Sequence, residues 1–375
     1  MQIINETFPA TIPFQHDIHV GVVGSGDMEI LISAPRNAGK TTVKVATSVD
    51  GFDTVWRNVL KRFFGRNPLE ADITINDFGA TPGMAMLRLT QAFEQATSPQ
   101  TIEISDSSPF TELSARQRVQ SLLDPGTFRE LLDPFQEIQS PHLEPQGIVP
   151  QLDDGAVLGR GTINGDSAIV VGLEGKFQGG GIGEVSGAKI AAALERALVD
   201  AKAGHNIRVV LLLETGGIRL QEANLGLLAI AEIHSAIVEL QRYTPVVCVV
   251  AGMVGCFGGM GIAAGLCDHI IMTREGRLAL NGPEVIETEA GVQELNASDR
   301  PAIWKMIGGE QRVATGRAEV LSDDTVESIR AAVVAAPVMA YTYHRANNLD
   351  SFNAQLENLN PSARPTAEEL RTVSV

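Results

Sequence analysis

The chain has 375 residues, 44% of them hydrophobic, and a formal charge of −16. That length exceeds what one hydrophobic core usually organises, so two domains are expected. The acidic balance, with a pI near 4.9, excludes a general nucleic-acid binder or anionic-membrane binder, because phosphate recognition shows as a basic surface excess.

Taken in chain order, residues 1–97 alternate short β-like runs (HVGVVGSG, MEILISA, TTVKVATSV, ADITINDFG) with Gly, Pro and Asn punctuation, the pattern of a small α+β module. A helical stripe from Phe52 to Phe64, with Val55, Trp56, Val59, Leu60 and Phe63 on one side, supplies a face to cover the sheet. Pro82 and Gly83 open a second helix. Residues 98–109 turn polar and lose periodicity, which reads as a linker. Residues 110–345 form the second domain and 346–375 a polar tail that contacts little. Within the second domain, SARQRVQSLLDPGTFRELLDPF reads as two short helices broken at Asp124-Pro125-Gly126, and EPQGIVPQLDDG as an extended connection. From Gly155 strands alternate with helices, which argues for a largely parallel sheet. The uncharged run Val246 to Cys267 is long enough to span a bilayer, but its glycines favour a buried strand leading through a turn into a buried helix.

Several motifs are decoys. Ala34 to Thr42 imitates a phosphate-binding loop, yet the first glycine is replaced by Ala34 and a β-branched run follows where a helix is required; a hairpin turn at Gly39 explains it better. Gly83-Met-Ala-Met86 lacks the lysine that biotin needs, so no biotin is expected. His16 and His19 read as surface histidines without metal partners. Cys248, Cys256 and Cys267 share no zinc-ribbon spacing and read as buried free thiols. No metal is expected. The N-terminus lacks a basic leader before an apolar core, so a cytoplasmic location is expected.

Three features carry chemistry. Val22-Val-Gly-Ser-Gly-Asp27 presents Ser25 between Gly24 and Gly26 at the end of a strand, an exposed hydroxyl with little hindrance. Glu214-Thr-Gly-Gly-Ile-Arg219 and Gly255-Cys-Phe-Gly-Gly-Met260 each follow an apolar strand and open toward a helix. Two such turns on neighbouring strands aim backbone N–H groups at one point, as an oxyanion hole requires.

The pattern VGVVGSGDMEIL, TSVDGFDTVW, INDFGATPG resembles the acyl-carrier (delta) subunit of malonate decarboxylases. The glycine turns, with Glu174 to Val185 upstream and Leu280 to Glu287 downstream, resemble the carboxyltransferase branch of the ClpP/crotonase superfamily, most closely the beta subunit of malonate decarboxylase. The implied fold is α/β, a small α+β carrier domain followed by a crotonase-like domain. The resemblance implies 2′-(5″-phosphoribosyl)-3′-dephospho-CoA on Ser25, with Gly180 and Gly181 also at the cofactor. It places the amides of Gly217 and Ile218 at one oxyanion position and those of Gly258 and Gly259 at a second, the two turns serving different acyl carbonyls or only one of them stabilising the enolate formed as a malonyl thioester becomes an acetyl thioester. Glu284 and Glu287 are candidate proton donors, with water or another subunit as alternatives and surface or structural carboxylates as the favoured competing account for both. Lys176 and Arg219 are candidates for meeting the substrate carboxylate or a phosphate, with structural ion pairs as the competing account. The implied partners are a gamma subunit, an alpha acyl-transferase subunit and a prosthetic-group transferase. A free acyl-CoA carboxyltransferase or hydratase, and a non-catalytic docking subunit, are the competing readings.

Overall fold

β-branched residues alternating with polar ones build the first sheet. The computed structural model describes residues 1–98, 104–337, 349–360 and 366–373, and β1 (Gln2–Pro9), β2 (Ile18–Gly21), β3 (Met28–Ser33), β4 (Lys40–Thr47) and β5 (Ala71–Asp77) pair in the order β1-β4-β5-β3-β2. Ile30, Val43, Val45, Ile73 and Ile75 turn to one face, where Trp56, Leu60 and Phe63 of α1 (Asp53–Phe64) and Leu89 of α2 (Pro82–Thr97) bury them. Each such side chain contributes roughly 1.5–3 kcal/mol when removed from water. Thr81 starts α2 by accepting the Met84 N–H at 3.2 Å, with Pro82 in the first turn.

The other face mixes polar residues with the buried Leu31 and Ala46. The segment Leu132–Gly155 groups with Met1–Glu103 and Lys176–Gln178 in this first unit, and it supplies a donor that a buried charge needs. Glu29 is fully buried and accepts the Leu152 N–H at 3.2 Å and Asn76 Nδ2 at 2.9 Å, while pairing with His19 Nε2 at 2.9 Å. His19 is thus tied to a buried carboxylate and is not a surface histidine. Leu132–Gly155, by sequence part of the second domain, carries only 3-10 turns at Pro134–Gln136 and Glu144–Gln146 and so announces no allegiance of its own. Of the expected linker, residues 99–103 lie outside the described residues.

Two expectations are corrected. β3 and β4 are not a hairpin, because β5 lies between them, antiparallel to β3 and parallel to β4; the loop at Gly39 is a crossover. The second short helix after Pro125 is instead a strand, since Arg129–Leu131 pairs along the edge of the second sheet.

That sheet contains β6 (Arg129–Leu131), β7 (Ala156–Ile163), β8 (Asp166–Leu173), β9 (Ile207–Leu212), β10 (Val246–Val250), β11 (His269–Met272) and β12 (Val320–Leu321), ordered β12-β11-β10-β9-β8-β7-β6. β8 through β12 run parallel, and β6, β7 and β8 antiparallel. One face packs on α4 (Glu184–Lys202), α5 (Asn224–Leu240) and α6 (Gly258–Leu266) through Ile190, Leu194, Ile233, Ile237 and Met260. The other packs on α3 (Ala115–Leu122) and, after α7 (Pro283–Ala290), α8 (Arg300–Ile307) and α9 (Gly309–Ala314), on α10 (Val326–Ala335), through Val119, Leu122, Ile329 and Val333. The run Val246 to Cys267 is β10, a turn and α6, and among the described residues no helix is long and apolar enough to cross a membrane. After α11 (Leu349–Glu357), the tail helix α12 (Ala367–Val373) does make contacts: Gln311 Nε2 donates to Ala367 O at 2.9 Å and Arg371 Nε to Gln311 Oε1 at 2.6 Å.

Candidate functional site

In the first unit, β2 ends at Gly21 and the chain turns at Gly24 to Asp27, closed by the Asp27 N–H on Gly24 O at 2.9 Å. Gly26 takes φ +76°, the left-handed conformation that this turn requires at its third position. The turn is anchored on both sides. Gly26 N–H donates to Phe78 O at 2.9 Å and Phe78 N–H to Asp27 O at 3.1 Å, and Arg88 grips the Asp27 carboxylate with Nε at 2.8 Å and Nη2 at 2.6 Å. The hydrogen bonding raises the Arg88 pKa further, with the Asp27 charge adding to it against burial. Ser25 stands exposed at the apex, and its hydroxyl has no partner among the described residues. Gly24 is buried with Lys176 against it: a Cβ there would sit 3.3 Å from Lys176 Cβ.

In the second unit, β9 and β10 end side by side and each feeds a glycine turn. The turns are laced together: Thr215 N–H donates to Gly255 O at 2.7 Å and Phe257 N–H to Thr215 O at 3.0 Å. They also meet glycine on glycine, for a Cβ on Gly258 would stand 3.1 Å from Gly217 Cα. Of the four expected amides, two are committed. Gly217 N–H donates to Thr215 Oγ1 at 3.1 Å, and Gly258 N–H to Leu280 O at 2.7 Å. The N–H groups of Ile218 and Gly259 make no hydrogen bond among the described residues; Gly259, in the first turn of α6, has no intrahelical acceptor.

The remaining expected residues are distributed unevenly. Gly180 presses on the first turn, where a Cβ would meet Glu214 O at 1.9 Å, and Gly181 O accepts from Arg219 Nη2 at 3.1 Å. Arg219 is itself buried in an ion pair with Glu222 at 2.9 Å, and Glu222 also takes the Glu184 N–H at the start of α4, so this arginine fastens the glycine loop to the helix. Glu287 accepts the Ala297 N–H at 2.6 Å. Glu284 is exposed, on the helix that follows Leu280.

Three further residues shape the turns without having been singled out from sequence. Thr215 is fully buried and claims the Gly217 amide. Arg118 reaches from α3 to the Glu214 carboxylate; its only signal is the Ser114-x-x-Gln117 capping box that fixes the start of that helix. Arg277 lies over Phe257 at 5.7 Å and Trp304 at 4.5 Å, and burial lowers its pKa, with Glu284 opposing and Arg300 adding to the effect. Burial pushes the Cys256 thiol up, so it sits neutral beneath the second turn.

Residues 15–96 match the family model of the malonate decarboxylase delta subunit (MdcD), and residues 108–366 that of the carboxyl transferase domain. The chain is 40% identical over 269 residues to the malonyl-S-ACP:biotin-protein carboxyltransferase MADC of Malonomonas rubra, covering 68% of this chain and 84% of that protein. It is 45% identical over 96 residues to the malonate decarboxylase acyl carrier protein of Pseudomonas savastanoi pv. phaseolicola, covering 25% of this chain and 96% of that one. Among solved structures, a Pseudomonas malonate decarboxylase hetero-tetramer in complex with malonate superposes with a TM-score of 0.68 at 54% identity, over 71% of this chain and 97% of the other. The transcarboxylase 12S hexamer superposes with a TM-score of 0.50 at 27% identity, over 60% of this chain and 41% of that chain, and the second unit has the crotonase fold that such carboxyltransferases share. The chain therefore belongs to the malonate decarboxylase family, a delta-type acyl-carrier domain and a beta-type carboxyl transferase domain joined in one polypeptide.

Proposed function

We propose that Ser25 carries 2′-(5″-phosphoribosyl)-3′-dephospho-CoA through a phosphodiester and that the second unit decarboxylates the malonyl thioester so presented to an acetyl thioester. The exposed, unbonded Ser25 hydroxyl on an anchored turn suits such an attachment. When bound, the group supplies a thiol on a long tether. The carrying observation for the chemistry is that two laced glycine turns leave one uncommitted amide each, Ile218 and Gly259. Those donors hold the thioester oxygen as negative charge develops there while the bond to the carboxylate breaks, stabilising the transition state more than the ground state. The committed amides of Gly217 and Gly258 keep the turns in place. Glu284, exposed on the helix that follows Leu280, passes a proton drawn from solvent to C2, whereas Glu287 holds the loop at Ala297. Exposed Leu220, Ile262, Leu280 and Val285 on the segments around the turns support cover by a gamma subunit. An alpha acyl-transferase subunit exchanges acetyl for malonyl on the arm, and a prosthetic-group transferase loads it. Three buried free cysteines fit a reducing, cytoplasmic setting.

The likeness to MADC favours a second reading, in which the same donors serve transfer of the carboxyl group to biotin on another protein. One experiment separates them. The chain and its Ser25→Ala variant are co-expressed with the enzymes that make and attach the group, weighed intact, loaded with malonyl and assayed for CO2 and acetyl thioester with and without a biotinyl protein. A mass gain on the parent alone and CO2 without biotin support decarboxylation; acetyl thioester formed only with the biotinyl protein, the carboxyl group held there as carboxybiotin, supports transfer. Absence of a mass gain sinks both and leaves a free acyl-CoA enzyme.

A further inference from the structure

An apolar cavity of about 230 Å³ opens in the first unit, lined by Phe52, Val55, Trp56, Val59, Pro82 and Ala85. Its polar edges are already satisfied: Thr47 Oγ1 donates to Asp77 Oδ2 at 2.5 Å, Ala80 N–H to Asp77 Oδ1 at 2.8 Å, and Thr81 Oγ1 accepts from Met84 N–H at 3.2 Å. The interior therefore asks for carbon or sulfur, not for an ion. Phe52 (50% exposed) and Val55 (37%) leave its mouth apolar and open. A dry cavity of about 150 Å³ already binds a benzene-sized group, so this one has room for a branched aliphatic segment.

The loop that walls the cavity, from Asp77 to Pro82, is the loop that anchors the serine turn through Gly26 N–H on Phe78 O at 2.9 Å and Phe78 N–H on Asp27 O at 3.1 Å. Standard backbone geometry then keeps Ser25 Cα within about 12 Å of Gly79 Cα. A pantetheine-type arm is longer than that, and a tethered ligand sees its site at an effective concentration near millimolar. We propose that this cavity shelters the pantoyl and thiol end of the arm borne by Ser25, a resting site on the carrier between visits to its enzymes. The proposal rests on the carrier reading above.

The arm thiol reports on its own position, because Cys248, Cys256 and Cys267 are buried. Holo-protein, verified by intact mass, is treated with an aromatic disulfide reagent in its parent, Val55→Asp and Phe52→Ala forms, each checked for folding by circular dichroism. Sheltering predicts that the parent thiol reacts roughly fivefold or more slowly than free pantetheine and that either variant recovers the free rate. Emission of Trp56, read in a Trp304→Phe background, should differ between loaded and unloaded parent and not between loaded and unloaded Val55→Asp. A loaded parent whose thiol reacts at the free rate and whose Trp56 emission is unchanged overturns the resting site while leaving the carrier intact. No mass gain overturns both.

Discussion

Replacing Gly258 with alanine tests whether the approach of the two glycine turns sets the rate. Gly258 has φ +63°, where an L-residue costs about 1–2 kcal/mol. Its new Cβ would stand 3.1 Å from Gly217 Cα, a backbone atom, so relief requires the turns to part by a few tenths of an ångström. The lacing through Thr215, Gly255 and Phe257 resists separation, and the strain falls on the peptide that carries the Gly259 N–H. Losing one oxyanion donor outright costs about 10²–10³ in kcat; a misaligned one should cost roughly 10- to 100-fold, with KM within about twofold, because the lost interaction belongs to the transition state. The Tm should fall by roughly 2–8 °C. Gly165→Ala is the control: at φ +84° with nothing within 4 Å of the added Cβ, it carries the strain without the collision, so Tm falls and kcat does not. Decarboxylation kinetics and thermal unfolding of both variants decide the matter. A Gly258→Ala protein with parental kcat would refute the reasoning.

Ser25→Ala should abolish the prosthetic mass and change unfolding stability by less than about 0.5 kcal/mol, since the side chain is exposed and has no partner among the described residues. Arg118→Met should cost about 3–5 kcal/mol in denaturant unfolding by stranding the Glu214 carboxylate, and adding Glu214→Met should restore most of that stability without restoring kcat. Asp124 is pulled up by burial but held below its ordinary 3.8 by Thr162, Gly165 and Asn164 hydrogen bonds and the Arg330 charge. A lowered carboxyl value contributes stability that is present above the unfolded value and lost as pH falls through the folded one. The Asp124→Asn variant should therefore unfold more easily than the parent at pH 7 and approach it below pH 3.8, as followed by urea midpoints across pH.

The parts of this fold that were legible in the sequence are those whose period is local. β7 and β8 with Asn164-Gly165 between them, the apolar stripe of α1, and the passage from β10 through glycines into α6 all follow from residues close together in the chain. That Ser25 stands exposed on a turn was legible because glycines flank it. What failed was non-local. The crossover between β3 and β4 looks like a hairpin until β5 claims the space between them. Arg129–Leu131 has helical neighbours in sequence but an open edge of β7 in space. Leu132–Gly155 is tied to the first unit by residues more than a hundred positions away, Glu29 taking the Leu152 N–H and Val23 N–H donating to Gln151 Oε1 at 3.0 Å. Nor does any sequence pattern distinguish committed from uncommitted amides, because Thr215 and Leu280 make that selection only once the turns are folded.

The geometry of the turns traces back to one buried charge. Glu214 ends the run that β9 begins, and its carboxylate accepts from Arg118 and from the Val254 N–H at 3.1 Å, on the loop that leaves β10. One side chain thus spans both strand ends. Gly175 and Gly252 leave room for it, since a Cβ at either would fall within 2.6 Å of its carboxyl carbon. A buried ion pair is weak evidence for stability, because apolar residues of like volume often do as well. Its value here is positional: a carboxylate accepts along fixed directions, and an apolar side chain would fill the same volume without fixing Val254. The charge therefore holds the spacing between the turns, and that spacing decides whether the Ile218 and Gly259 amides meet the same oxygen.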